Sequence, residues 1–168
     1  MCRCCSLPSP IRPIGAREVA LVIRAPQAGD REAWGRLYQG YAAFYRSEQS
    51  EEMRERVWSW ILEGRAGQQA RVAELDGRLV GLAHFRPFLR PLAASTGGYL
   101  DDLFVEPGTR GAGVGRALLL ELGEVAQREG WSVIRWITAS DNATARSLYD
   151  TLAKATPWVT YDLTPGAS

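Results

Sequence analysis

Apolar residues recur along this chain at two periods, and the switches between them mark out alternating strands and helices. Val19-Ala-Leu-Val-Ile-Arg24 is an unbroken apolar run that predicts a strand. Beyond it, Trp34, Leu37, Tyr38, Tyr41 and Phe44 fall at a helical spacing, with Asp30 as the expected N-cap. Ser50 is the expected cap of a second helix. Glu51 and Glu52 stand in its first turn, where the helix dipole favours acid, and Gly64 stops it. Arg71–Leu75 and Arg78–Phe85 flank Asp76-Gly77, a hairpin pattern. Pro87 and Pro91 are expected to break the chain before the next strand, Tyr99–Val105. A helical pattern then runs from about Gly113 to Glu129 and stops at Gly130. A strand over Val133–Thr138, a helix over Asn142–Ala153 and an alternating strand over Trp158–Leu163 complete the reading. This order predicts a mixed α/β sheet in one domain, residues 19–164. Residues 1–18, rich in proline, are expected to be a disordered tail, and 165–168 a short second one.

Composition narrows the functions open to such a domain. At 168 residues, 46% hydrophobic and 23% charged, the chain has the make-up of one globular unit. A net charge of +1 gives no electrostatic footprint for nucleic acid or an anionic membrane. No apolar run is long enough to span a bilayer, and the first residues lack the apolar stretch of a signal peptide, so a cytoplasmic protein is expected. Cys2, Cys4 and Cys5 are the only cysteines, with no histidine nearby, so neither a metal site nor a disulfide framework is expected. His84, the single histidine, reads either as a structural group or as a proton relay. The other tryptophans of the chain, including Trp136 and Trp158, read as core or dimer packing.

The chemistry concentrates in Arg110-Gly111-Ala112-Gly113-Val114-Gly115-Arg116, between a strand and a helix. Glycines let a backbone turn tightly, and a helix N-terminus offers unpaired N–H groups and partial positive charge. Together they form an anion cradle, which Arg110 and Arg116 can reinforce. The cradle is not a P-loop, because no Lys-Ser/Thr pair follows the last glycine. Nor is it a Gly-x-Gly-x-x-Gly dinucleotide loop, because the third glycine would fall at Arg116 or Leu118. What remains is Arg-x-x-Gly-x-Gly at Arg110, Gly113 and Gly115. Upstream stands Tyr99-Leu-Asp-Asp-Leu-Phe-Val-Glu-Pro107, and downstream Asp141-Asn-Ala-Thr-Ala-Arg-Ser-Leu-Tyr149. These ordered motifs resemble the GNAT superfamily of N-acetyltransferases, and most of all its branch acting on small amines, polyamines and amino acids.

The resemblance implies a largely antiparallel central sheet flanked by helices, and acetyl-CoA as donor. It implies that the loop residues Arg110, Gly111, Ala112, Gly113, Val114, Gly115 and Arg116 hold the pyrophosphate. Leu103, Phe104 and Val105 would present backbone to the pantetheine arm and thioester, and Asn142 would bond that arm. Tyr149 would be the general acid for the leaving thiolate. A phenol near 10 is a poor acid toward a thiol near 8.5, a mismatch of about 2 kcal/mol, so a hydrogen bond to the developing charge suits Tyr149 better. Asp101 and Asp102 are the candidate base and ammonium anchor, or else partners of an arginine. Adjacent strand residues point to opposite faces, so one of the two is expected at the site. Tyr38, Tyr41, Tyr45 and Glu48 could line the acceptor side from the first helices. The expected partners are acetyl-CoA, a cationic amine and a second copy of the chain in a homodimer. A protein lysine or N-terminal acetyltransferase and a non-catalytic acyl-CoA sensor are the alternatives.

Overall fold

The computed structural model describes residues 20–166; the expected N-terminal tail at 1–18 lies outside them, and the C-terminal one lies partly outside. Five strands form one sheet in the order β1-β2-β3-β4-β5. They are β1 (Leu21–Arg24), β2 (Gln69–Leu75), β3 (Arg78–Arg90), β4 (Ser95–Val105) and β5 (Ile134–Arg135). The first four pair antiparallel, and β5 joins β4 in parallel. The helices are α1 (Arg31–Phe44), α2 (Glu51–Glu63), α3 (Val114–Arg128) and α4 (Ala143–Tyr149).

Each face of the sheet has its own core. α1 and α2 bring Trp34, Leu37 and Trp58 onto Val72, Leu82 and Phe104. α3 brings Leu118, Leu122 and Val125 onto Val80, Phe85 and Leu100. The central strand β3 is therefore buried on both faces from Leu79 to Phe85, which is why its sequence is continuously apolar. One polar side chain interrupts that run, His84, at 1% exposure.

Several elements differ from the pattern in the sequence. β3 does not stop at Pro87 but runs to Arg90, with Pro87 opposite Gly98. The pairing of β2 with β3 ends at Gln69 and Phe85, so Pro87 sits where the strand has one neighbour and its missing N–H breaks no ladder bond. The predicted strand 133–138 shrinks to Ile134–Arg135, and the predicted helix 142–153 ends at Tyr149. The final strand over 158–163 is absent; with β5 so short and Pro157 at its start, the segment pairs with nothing. Trp158 there is 78% exposed in this chain, not core.

Ser50 caps α2 as expected, accepting a hydrogen bond from the Met53 N–H, and Gly64 closes the helix in the left-handed region. Asp30 does not cap α1. Its carboxylate instead accepts two hydrogen bonds from Arg24, at 2.6 and 3.0 Å, and one from the Gln27 N–H at 2.7 Å. Arg24 also binds Glu74 of β2 at 2.7 Å, so one guanidinium ties β1, β2 and the start of α1 together.

Arg24 holds the Asp30 carboxyl below its ordinary range, against the opposing effect of burial. A depressed carboxylate contributes stability above its unfolded-state pKa, and that stability is lost as pH falls through the folded-state value. Unfolding free energy should therefore drop as pH falls below about 4. Asp30→Asn should lower stability at pH 7 and flatten that slope, as urea titrations at several pH values would measure.

Candidate active site

The site exists because β4 and β5 part early. They pair only at Gly98 with Ile134 and Tyr99 with Arg135. From Leu100 onward, the edge of β4 facing away from β3 has no strand beside it. A cavity of about 430 Å³ opens there, lined by Leu103, Phe104 and Val105 on one side and by Asn142 and Tyr149 on the other. Unpaired strand backbone of this kind can take up an extended ligand as an added strand would.

The glycine loop closes one end of this cavity. Gly111 and Gly113 adopt φ of 88° and 78°, a region that L side chains rarely enter. Gly113 is the N-cap of α3 and offers no capping side chain, so the helix's first N–H groups depend on some other acceptor. Gly115, Arg110 and Arg116 line the cavity. Val114 does so too, but its side chain is core at 1% exposure, which leaves only its backbone for a ligand. Ala112 does not line the cavity; its N–H is bonded to the Thr109 carbonyl at 3.3 Å. A Cβ on Gly115 would stand 3.2 Å from Leu148 of α4 and 3.7 Å from Val105 of β4. Neither Arg110 nor Arg116 is ion-paired among the described residues.

Asn142 and Tyr149 sit at opposite ends of α4. Asn142 caps the helix through the Ala145 N–H at 3.3 Å, and its amide donates to Thr138. Tyr149 packs edge-on against Trp136, with ring centroids 5.3 Å apart. Burial, with the nearby Tyr45, pushes the Tyr149 hydroxyl up to about 12. It therefore keeps its proton at neutral pH, which leaves the hydroxyl able to donate a hydrogen bond.

A second cavity, of about 620 Å³, lies on the other side of Tyr41 and Tyr45, which line both. Tyr38, Glu48, Gln49 and Asp101 complete the part of its wall that bears on the chemistry. Here the expectation that adjacent residues of β4 face opposite ways fails. The β3–β4 register slips between His84 and Phe85, so Asp102 lies opposite His84, Leu100 opposite Phe85, and Asp101 has no partner residue. Such a bulge interrupts the alternation. Both carboxylates consequently bear on Tyr38, each raising its hydroxyl pKa beyond the effect of burial.

The two acids differ in state. Asp101 Oδ1 accepts from Arg86 Nε at 3.2 Å, while its buried Oδ2 has no partner. Burial pushes the Asp101 carboxyl up, Arg86 opposes the shift, and Asp102 adds to it. Burial acts on Asp102 in the same sense but is outweighed by hydrogen bonding from His84, Tyr41 and Tyr38, which leaves that carboxyl below its usual range. Neighbouring carboxyls driven apart in this way suit different roles. Gln49, Arg86 and the bulge carry no periodic signal in the sequence, and reasoning from it missed them.

Among the described residues no cluster of His, Cys, Asp and Glu could hold a metal ion, and no helix is long and apolar enough to cross a membrane. Residues 34–153 match the family model of the GNAT acetyltransferases. The chain is 27% identical over 143 residues to a D-amino-acid N-acetyltransferase of Saccharomyces cerevisiae, covering 84% of this chain and 89% of the relative. It is 25% identical to the crystal structure of a ribosomal-protein-alanine N-acetyltransferase from Brucella melitensis biovar Abortus 2308, with a TM-score of 0.73 over 86% of this chain and 99% of that one. An aminoglycoside N-acetyltransferase in complex with CoA shares the fold at 17% identity, with a TM-score of 0.79 over 90% of this chain and 99% of that one. The chain therefore belongs to the GNAT acetyltransferase family, as an N-acetyltransferase that uses acetyl-CoA as its donor.

Proposed function

We propose that this enzyme acetylates a small primary amine that arrives as a cation, seated in the second cavity against Asp101. One observation carries the reading: Asp101, whose Oδ2 has no hydrogen-bond partner among the described residues, lines a cavity that shares Tyr41 and Tyr45 with the donor cavity. The lining offers two carboxylates, Asp101 and Glu48, three tyrosines and no lysine or arginine, which suits an ammonium.

The donor cavity fits a nucleotide thioester, because its loop is a concave array of helix N-terminal N–H groups flanked by two unpaired arginines. Acetyl-CoA supplies an acetyl group on a thiol leaving group. The first-turn N–H groups of α3, with Arg110 and Arg116, would hold the pyrophosphate. Backbone groups of Leu103 and Val105 would pair with the pantetheine arm, and an N–H near Phe104 would meet the thioester oxygen. The Asn142 amide would bond the arm from α4. Tyr149 would donate its hydroxyl proton in a hydrogen bond to the sulfur as charge develops there. An alkyl ammonium near 10.4 must lose a proton before it can attack. Asp101, whose carboxyl burial makes more basic than usual, would accept that proton directly or through water.

A homodimer is the assembly we favour. Trp158, Val159, Tyr161 and Leu163 are 73–90% exposed in the single chain, an apolar surface suited to a second copy. Sedimentation equilibrium would measure it.

Free-thiol release from acetyl-CoA tests the reading against a panel of spermidine, a D-amino acid, an aminoglycoside and an N-terminal peptide. A cationic small amine should be the preferred acceptor; preference for the peptide would favour the protein acetyltransferase instead. In calorimetry, Gly113→Val should weaken coenzyme A binding more than Arg110→Ala does, because a branched residue is strained at a φ of 78° and adds bulk to the cavity wall. Unchanged affinity in Gly113→Val would remove the pyrophosphate role. Tyr149→Phe should lower kcat roughly 10- to 1000-fold with little change in coenzyme A affinity. Asp101→Asn should raise KM for the amine and lower kcat while leaving coenzyme A binding intact. Wild-type amine kinetics in that variant would refute the carboxylate's role.

A further inference from the structure

Trp34 and His84 line neither of the two cavities described above, yet they end at the acceptor site. Trp34 is fully buried and His84 nearly so. The indole Nε1–H of Trp34 donates to His84 Nε2 at 2.9 Å, and His84 Nδ1 lies 2.8 Å from Asp102 Oδ2. An indole nitrogen can only donate. His84 Nε2 must therefore offer its lone pair, the ring proton sits on Nδ1, and that proton is directed at Asp102. Asp102 in turn faces the hydroxyls of Tyr38 and Tyr41 from α1, and both tyrosines line the acceptor cavity.

We propose that Trp34 and His84 are positioning residues that set the direction of every hydrogen bond behind the acceptor cavity. With Asp102 an obligate acceptor, the Tyr38 and Tyr41 hydroxyls turn their protons to it. Their oxygens then present lone pairs to the cavity, where an amine brings only N–H groups. This inference rests on the reading of the second cavity as the amine's seat. His84 is no proton relay on this view, because both ring nitrogens are committed and the residue lines neither the donor nor the acceptor cavity. The charged and titratable groups around the chain are Tyr38 and Tyr41 on α1, Asp101 on β4 and, through Asp101, Arg86 on β3. Tyr38 also packs edge-on against the imidazole, with centroids 4.8 Å apart, which fixes the ring plane.

His84 is the only histidine, so ring-nitrogen NMR of the untagged, imidazole-¹⁵N-labelled enzyme reports this one group. The expected spectrum at neutral pH is the Nδ1–H tautomer, with a mixture appearing in Trp34→Phe. The Nε2–H tautomer in the wild type would overturn the proposal without an acceptor being known. With the best acceptor of the panel, His84→Leu should raise KM for the amine about tenfold or more, the size of losing a hydrogen bond to a charged group. KM for acetyl-CoA should stay within about twofold, since Tyr41 is the one residue oriented by this chain that borders the donor cavity. His84→Asn, whose amide can still donate to Asp102, should recover most of the loss and also serves if the leucine variant does not fold. Wild-type amine kinetics in His84→Leu, or equal loss in His84→Leu and His84→Asn, would reduce the chain to a structural role. Failure of the amine-seat reading shows separately, as unchanged kinetics in Asp101→Asn.

Discussion

Two ladder positions hold β4 to β5, and the early end of that pairing is the constraint on which the active site depends. A sheet that stays closed satisfies its own backbone. This one leaves β4 with a free edge beside the α3 loop, lining a cavity where an extended ligand could pair. The rest follows from where that edge lies. It faces the helix N-terminus at one end, α4 on its far side, and α1 tyrosines at the other. The cavity thus runs past three different elements, each offering a different chemistry: helix N–H groups, the α4 side chains and the α1 tyrosines.

The second constraint is local. One extra residue in β4 carries two consecutive carboxylates to the same tyrosine, which regular pleating forbids. Two like charges so close are stable only if their surroundings differ. Here they do: Asp102 is bonded to His84, with Tyr38 and Tyr41 helping to hold its carboxyl low, while Asp101 meets Arg86 through one oxygen and has no partner for the other among the described residues. The buried histidine supports this asymmetry from behind, so a side chain that touches no ligand takes part in setting the chemistry of one that would.

How much of this was readable in the sequence depended on how local the cause was. The caps at Ser50 and Gly64, the Asp76-Gly77 hairpin and the glycine loop follow from residues within one turn of each other, and they stand where the pattern put them. Asp30 shows the limit: its sequence position suits a cap, but Arg24, across the β1–α1 connection, competes for it and wins with a charged pair. Pro87 was read as a break because a proline's cost depends on whether a neighbour strand lies on its N–H side, which only tertiary structure decides. The strand at 158–163 alternates correctly yet has nothing to pair with. Of the site, the donor half was legible through its motifs. The acceptor half was not, because the bulge and the Trp34–His84 contact join residues far apart in the chain.

Gly115 gives the donor half a mechanical property. At this position the side chain of Leu148 of α4 closes on the first turn of α3, 3.2 Å from where a Cβ would stand, with Val105 of β4 at 3.7 Å. Strand, phosphate loop and the helix bearing Tyr149 therefore touch at a gap one methyl group wide. A methyl placed there would act as a shim, against which the tip of Leu148 must give slightly. The spacing between the glycine loop and the helix that carries Tyr149 is thus gauged at a single position, by the one residue there that has no side chain.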